Sequence, residues 1–154
     1  MDIIAYFQNI CNTLVDTRDT YTFAKVSGLS HLEEVLDDRK STRWLAVDKS
    51  QDGNSYRGGN GGFFERRFHT VFLIFKMTKR DQDHEPGMNE VRTIYKKIHS
   101  KIIHDRKINQ DMFFMDEELR FNEIEYIGDN CAGLMFHLTN DEATDLRYNP
   151  DDWS

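Results

Sequence analysis

The feature that most constrains the fold is a run of alternating side chains from Phe64 to Lys76, with the sequence FERRFHTVFLIFK. Successive side chains of a strand point to opposite faces of a sheet. After Phe68 both alternating sets become apolar, because Val71 to Phe75 reads VFLIF without interruption. A strand that is apolar on both faces is typical of the centre of a sheet with a layer packed on each side. The sequence therefore predicts that this segment is a central, covered strand.

Directly before this strand, residues Asp48 to Gly62 (DKSQDGNSYRGGNGG) are polar, rich in glycine and without apolar periodicity, which predicts a long loop. A phosphate-binding loop or a dinucleotide fingerprint must open a helix, and the former also needs a Lys after its last Gly. Here a strand follows and the Lys is absent, so no nucleotide site is predicted. We expect a mobile hairpin-like loop, or one that orders on contact with a partner. Its flanking residues Arg57, Arg66 and Arg67 suit such a contact.

The remaining periodicities predict one α+β domain over residues 1–154, without an interior linker. The expected sheet is mainly antiparallel, with about four to five strands, and an N-terminal helix and one long helix pack on it. The predicted elements are a helix over Asp2–Val15 capped by Asp2, a short helix capped by Ser30, a strand over Thr42–Val47, a charged loop over Thr78–Gly87, a helix over Met88–Lys107, and a final strand pair before an acidic tail at residues 140–154.

Composition narrows the class of protein. A length of 154 residues suits one domain with its own core, and 38% hydrophobic with 31% charged residues is typical of a globular chain. Cys11 and Cys131 each lie in an apolar pattern and not in a CxxC pair, which predicts buried thiols. No apolar run reaches the roughly 18 residues that span a bilayer, and the start of the chain lacks the basic segment of a signal peptide. We therefore expect no membrane partner.

The net charge of −7 hides a strong asymmetry along the chain. From Arg39 to Lys107 there are sixteen Lys and Arg against eight Asp and Glu, a charge of +8. From Asp111 to Ser154 there are two against twelve, a charge of −10. Either both regions are ordinary solvated surfaces, or one face of the molecule is basic and another acidic. In the second case copies could meet head to tail, a contact that generates rings when the rotation closes.

No catalytic, cofactor or metal site is predicted. The segment DQDHE, from Asp81 to Glu85, lacks the EF-hand spacing, and the six histidines form no HExxH pair. No GxSxG or kinase-type set is present. One rival hypothesis remains, a small hydrolase or nuclease that uses Asp81, Asp83, His84 and Glu85 with a divalent metal.

A second rival hypothesis is a cytosolic binding module whose basic helix, from Glu90 to Lys107, holds an acidic partner. Lys96, Lys97 and Lys101 would form the contact surface of that helix. Nucleic acid is a less favourable partner, because a sequence pI near 5.3 is unlike the basic footprint of nucleic-acid-binding proteins.

The order of elements, together with the C-terminal stretch GLMFHLTNDEATDLRYNPDDW from Gly133 to Trp153, resembles the tail terminator or tail-completion proteins of the bacteriophage head–tail junction. The resemblance covers most of the chain and contains no diagnostic motif. It implies a ring, commonly of six subunits, that caps the tail tube and docks to the neck of the virion. It also implies that the loop Asp48–Gly62 protrudes to touch neighbours.

The sequence thus predicts a non-enzymatic structural protein that assembles with copies of itself. The resemblance further implies that it belongs to the virion and that neighbouring neck and tail proteins are its partners. No membrane, cofactor or specific nucleic acid is expected. Aromatic and Arg side chains anchor many interfaces. Arg57, Arg66 and Arg67 are therefore predicted to pair between subunits or rings, and Tyr148 and Trp153 to dock the tail on a neighbour.

Overall fold

The computed structural model describes residues 1–38, 40–50, 52–112 and 115–153. In these residues three helices pack on a six-stranded sheet, which confirms the predicted α+β class and adds a strand to the expected number. The helices are α1 (Ile3–Thr13), α2 (Gly28–Leu36) and α3 (Arg80–Ile108), and the strands are β1 (Thr22–Val26), β2 (Arg43–Asp48), β3 (Asp52–Arg57), β4 (Phe63–Lys76), β5 (Arg120–Ile127) and β6 (Cys131–Thr144). Two short 3-10 turns lie at Gln110–Met112 and Pro150–Asp152.

The central strand is β4, as its two apolar faces predict. The sheet order is β1-β2-β4-β6-β5, with β3 also paired to β4. β6 pairs with β4 along its whole length, from Phe63 opposite Thr144 to Lys76 opposite Cys131. On its other side, β4 pairs first with β3 and then with β2. Every pairing is antiparallel except that of β1 with β2.

Helices cover both faces of the sheet around the second half of β4. Val71 and Leu73 point to a large core with α1 and α3, on what we call the α1/α3 face. Phe72 and Ile74 point to a smaller core beneath α2, on what we call the α2 face. Side chains of the same parity on β4 therefore share a face along its length. The two predicted buried thiols are confirmed, with Cys11 in the large core and Cys131 in the small one.

The first two helices begin in different ways. The Asp2 carboxylate accepts a hydrogen bond from the Ala5 N–H at 3.0 Å, so the predicted cap of α1 is confirmed. The predicted cap of α2 is wrong, because Ser30 lies inside a helix that begins at Gly28 after Ser27. Gly28 has a φ of +80°, a left-handed conformation that glycine adopts without steric cost and that turns the chain into the helix.

The long helix α3 begins at Arg80 and not at Met88, so the predicted loop over Thr78–Gly87 is wrong from Arg80 onward. The Asp83 carboxylate accepts hydrogen bonds from the N–H groups of Thr78 and Lys79 at 2.9 and 2.8 Å, which stabilises the start of the helix. Pro86 lies inside the helix and costs it one backbone hydrogen bond. Gly87 contacts the Phe75 ring so closely that a Cβ would overlap it. Tertiary packing of α3 on β4 thus overrides the local Pro-Gly break signal.

Candidate functional site

Part of the sheet extends away from the helix-covered cores. It consists of β3, the first half of β4 (Phe63–Phe68) and the last residues of β6 (Thr139–Thr144), and we call it the ribbon. In β3 every side chain is exposed except the half-buried Tyr56, and the Phe63–Phe68 half of β4 is exposed or half-buried. By contrast, β4 is buried from Val71 to Phe75. The ribbon therefore presents two sheet faces that are partly exposed on β3 and β4, while its β6 residues are mostly half-buried and Asn140 is buried.

The predicted hairpin-like loop over Asp48–Gly62 does form a hairpin, but the prediction missed that residues Asp52–Arg57 are the strand β3, paired with β4. The glycines form the tip of this hairpin. The N–H of Gly61 bonds to the carbonyl of Gly58 at 3.0 Å, and the N–H of Gly58 bonds to the carbonyl of Gly62 at 2.7 Å. Gly61 has a φ of +86°, as required by a three-residue hairpin loop that ends in a left-handed bulge residue. The glycine cluster is thus a turn between strands, with no helix behind it to bind a phosphate.

On the α2 face of the ribbon, Arg66 forms a two-pronged ion pair with Asp141. Its Nε and Nη2 atoms donate to the two carboxylate oxygens at 2.9 and 3.1 Å. The Tyr56 hydroxyl donates to the same carboxylate at 2.9 Å, and the Tyr56 ring stacks on Phe64 with ring centroids 5.8 Å apart. The Arg66 guanidinium lies 5.2 Å from the centre of the Tyr56 ring. These contacts hold three strands together and set the positions of their exposed side chains.

The opposite face of the ribbon holds the other two predicted arginines. Arg57 lies over the Phe63 ring at 4.9 Å from its centroid. Arg67 pairs with Glu65 at 2.8 Å and lies 3.9 Å from Glu142. The structure therefore places Arg57 and Arg67 on one face and Arg66 on the other. They do not form one basic patch.

The pKa of Asp141 lies below its usual range, because the hydrogen bonds from Arg66, and then from Tyr56, favour the charged carboxylate. A depressed pKa contributes stability above the unfolded-state value of about 3.9, and this contribution is lost as the pH falls through the folded-state value. Asp141→Asn should therefore lower the free energy of unfolding by about 1 kcal/mol at pH 7, a modest value because water screens the partly exposed Arg66.

The measurement is urea unfolding of the wild type and Asp141→Asn between pH 3 and pH 7. The difference between the two proteins should shrink as the pH falls through about 3.9, because the unfolded wild-type chain then takes up a proton that the folded Asp141 carboxylate, with its lower pKa, still excludes. A difference that stays constant down to pH 3 would show that the charge of Asp141 does not stabilise the ribbon.

The three predicted lysines of α3 have separate environments. Lys96 is exposed. The Nζ atom of Lys97 donates to both Asp16 oxygens at 2.9 and 2.7 Å, and that of Lys101 lies 3.0 Å from Asp105. Lys97 and Lys101, one helical turn apart, also line a groove of about 250 Å³ between α1 and α3. We call it the α1–α3 groove, and its apolar lining comes from Ile10, Leu14, Val15 and Ile98.

The C-terminal residues differ from the predicted tail in where they begin. Strand β6 continues to Thr144, so residues 140–144 belong to the sheet and only residues 145–153 form a tail in the described chain. The prediction was wrong there because Asp141 and Glu142, acidic in sequence, find basic partners across the ribbon. In the tail, Tyr148 and Trp153 stack on each other with ring centroids 6.4 Å apart, and they are 74% and 71% exposed.

Ion pairs within the chain neutralise some of the charges of the basic middle and the acidic end. Arg66 pairs with Asp141, Arg92 pairs with Glu123 at 2.6 Å, and Arg106 pairs with Glu117 at 2.8 Å. Each pair joins the basic middle of the sequence to its acidic end. The two regions are therefore not simply separate faces, and a role for the remaining charges between copies stays a prediction.

The acidic segment DQDHE shows no metal-binding geometry. Asp83 bonds to backbone N–H groups at the start of α3, and Glu85 pairs with Arg92 at 3.3 Å. Across the described ranges, no three His, Cys, Asp or Glu side chains are grouped so that they could hold a metal ion. The metal-dependent hydrolase hypothesis thus gains no support from these contacts.

Sequence reasoning missed several residues of these surfaces. Tyr56 and Asp141 order the α2 face of the ribbon, yet only the strand register reveals that they meet Arg66. Phe68 is an apolar side chain 43% exposed on the same face. Val15 was assigned to the first helix, but it lies just beyond α1 and is exposed beside the α1–α3 groove. Only for Val15 does the sequence contain a hint of exposure, because this apolar residue lies directly before a polar stretch.

A scan against protein-family models finds none that matches the chain. A search of curated proteins likewise finds no similar sequence.

In the described residues, no helix combines the length and apolarity that crossing a membrane requires.

Proposed function

We propose that this chain is a non-enzymatic structural protein that assembles into a ring, as a tail terminator or tail-completion protein does at the head–tail junction of a tailed bacteriophage. The ribbon is the observation that carries the proposal. Its two faces present Arg side chains and the 43% exposed ring of Phe68, and the described helices pack on the other half of β4. Arg and aromatic side chains are enriched at the centres of interaction sites.

The outer edge of the ribbon supports the same proposal. Among the described strands, β3 pairs with β4 alone, so its second edge is free for another strand. A free edge is a template for pairing with another chain. Because β3 is short and polar, uncontrolled edge-to-edge aggregation is disfavoured while its backbone groups stay available to a specific neighbour.

The uncovered surfaces are also of different kinds, which favours a heterologous contact over a symmetric dimer. The ribbon is an extended sheet, and the α1–α3 groove is a depression between helices. A contact between two unlike surfaces repeats around an axis and closes into a ring when the rotation permits. Such an assembly agrees with the ring that the sequence resemblance implies, and it would place the protein in the virion.

A basic-helix binding module remains the second candidate. Lys97 and Lys101 each contact a carboxylate of the same chain and keep a donor for an acidic partner. That candidate predicts a monomer or a dimer, so the mass in solution separates the two proposals.

The test is the mass in solution by multi-angle light scattering, at low and at high salt. We expect a closed oligomer of several 18.2 kDa chains, seen as rings by negative-stain electron microscopy, that loosens as salt screens exposed charge pairs. Phe68→Asp places a charge on the ribbon and should shift the mass towards that of a monomer. Ile108→Asp is the matched control, because Ile108 is 72% exposed at the end of α3, outside the ribbon.

A wild-type protein that is a monomer at every concentration and salt would overturn self-assembly of this chain. An oligomer that Phe68→Asp and Ile108→Asp leave equally intact would show that assembly does not use the ribbon.

A further inference from the structure

The C-terminal tail, residues 145–153, is an ordered segment with apolar surface that its own chain does not bury. Leu146, Tyr148 and Trp153 are 46%, 74% and 71% exposed. The tail is held in shape by the stacked pair of Tyr148 and Trp153 and by Asn149, whose side chain accepts from the Asp151 N–H at 3.1 Å. Large aromatic side chains that are positioned but uncovered are typical anchors of interfaces.

The charge of the tail is concentrated beside Trp153. Asp145 and Arg147 neutralise each other through a two-pronged ion pair at 2.9 and 2.8 Å. Asp151 and Asp152 are exposed and have no ion pair with any described residue. The end of the tail is therefore an acidic, aromatic segment, and the surface that fits it must be apolar with a basic rim.

The α1–α3 groove has that chemistry. Its lining is apolar apart from Thr13 and the two lysines at its edge, Lys97 and Lys101, which are 49% and 43% exposed. An ammonium group has three hydrogen-bond donors. Each of these lysines contacts one carboxylate of the described chain, so each can also donate to a carboxylate of a second partner. At about 250 Å³ the groove lies below the range of about 300–1,000 Å³ typical of small-molecule sites, and its size suits one aromatic side chain.

We propose that the C-terminal tail of one copy docks in the α1–α3 groove of the next, with Trp153 in the apolar groove and Asp151 and Asp152 beside Lys97 and Lys101. This inference rests on the proposed ring and names one of its contacts. The occupant is a second copy because the complementary surfaces lie on the same chain and the tail stands free of its own body. Its 3-10 turn at Pro150–Asp152 makes the tail shorter than the roughly 30 Å that nine fully extended residues would span, so it can reach the groove of an adjacent copy only.

The chain provides a direct readout, because it has two tryptophans. Trp44 is fully buried in the small core, so iodide in solution reaches only Trp153. Iodide quenching of the wild-type fluorescence, measured beside light scattering over a dilution series, should be strong in the monomer and weak in the oligomer. Trp153→Ala should raise the concentration at which the oligomer dissociates by about 30-fold, the usual effect of truncating an anchor residue.

A charge exchange tests the groove. The double variant Lys97→Glu with Lys101→Glu should expose Trp153 to iodide and dissociate the oligomer. Adding Asp151→Lys and Asp152→Lys to the same chain should restore the oligomer and the protection of Trp153. Lys96→Glu reverses one lysine charge on α3 outside the groove and should alter neither measurement. Circular dichroism shows whether each charge variant is folded. Trp153→Ala needs no such check, because it changes only a side chain on the exposed tail.

The outcomes separate this contact from the ring itself. An oligomer in which Trp153 stays open to iodide, and which Trp153→Ala leaves unchanged, would overturn the tail contact while the proposed ring stands. A monomer in which Trp153 is protected would show that the tail occupies the groove of its own chain, which overturns docking between copies. A monomer with exposed Trp153 at every concentration would remove the ring and this contact together.

Discussion

Replacement of Trp44 by Ala is expected to lower the free energy of unfolding by about 3–5 kcal/mol, the usual cost of truncating a buried aromatic residue. Among the described residues, Trp44 is the largest fully buried side chain of the small core, which comprises nine of them and holds α2 on the sheet. The large core comprises twenty-four described residues and can better absorb the loss of one. Urea unfolding followed by circular dichroism at neutral pH measures the change.

Leu29→Ala is the matched control for Trp44→Ala, because Leu29 lies on α2 but is 57% exposed. Its cost should stay within about 1 kcal/mol, since folding removes little of the Leu29 side chain from water. If Trp44→Ala costs no more than Leu29→Ala, the small core does not hold α2 in place. A domain of this size has about 5–15 kcal/mol of stability in total, so the Trp44 variant should unfold at markedly lower urea.

Replacement of Gly133 by Ala is expected to cost about 3 kcal/mol, the upper end of the usual range for overpacking. Gly133 lies in β6 opposite Ile74 of β4. A Cβ at this position would overlap the backbone carbonyl oxygen of Leu73, and backbone at the centre of a sheet cannot move aside as a flexible side chain does. The strands must separate locally, which weakens the longest pairing in the fold.

Gly59→Ala is the matched control for Gly133→Ala, because a Cβ at Gly59 has nothing within 4 Å at the tip of the hairpin. It should change stability by no more than about 0.5 kcal/mol, and the loss of chain entropy in the unfolded state favours the folded form. Equal midpoints for the two variants in urea would contradict the close approach of β4 and β6.

Candidate interface residues can be predicted by type from the sequence, but their positions relative to one another cannot. Arg66 and Arg67 are adjacent in sequence, yet the pleat of β4 sends them to opposite faces of the ribbon. Lys96 and Lys97 are also adjacent, yet only Lys97 reaches the α1–α3 groove. The Asp141 carboxylate, far away in sequence, is brought to Arg66 by the pairing of β4 with β6.

Pro86 and Gly87 show a second limit. In sequence they signal the end of a loop, because proline lacks a backbone donor and glycine is a poor helix former. In the fold they lie inside α3, where the contact of Gly87 with the Phe75 ring offsets their low helix propensity. Local propensity is worth about 1 kcal/mol per glycine, and packing of a whole helix on a sheet outweighs it.

Local chemistry in the sequence was enough to determine the α+β class, the central position of β4, the burial of both cysteines and the cap of α1. Each depends on the spacing of apolar residues or on one side chain next to a helix start, and these act over a few residues. The tertiary structure alone decided the strand order, the strand β3 within residues 48–62, the ion pairs that join the basic middle to the acidic end, and the groove between α1 and α3. These depend on contacts between residues far apart in the chain, where a shift of one residue in strand register would send every side chain of that strand to the other face.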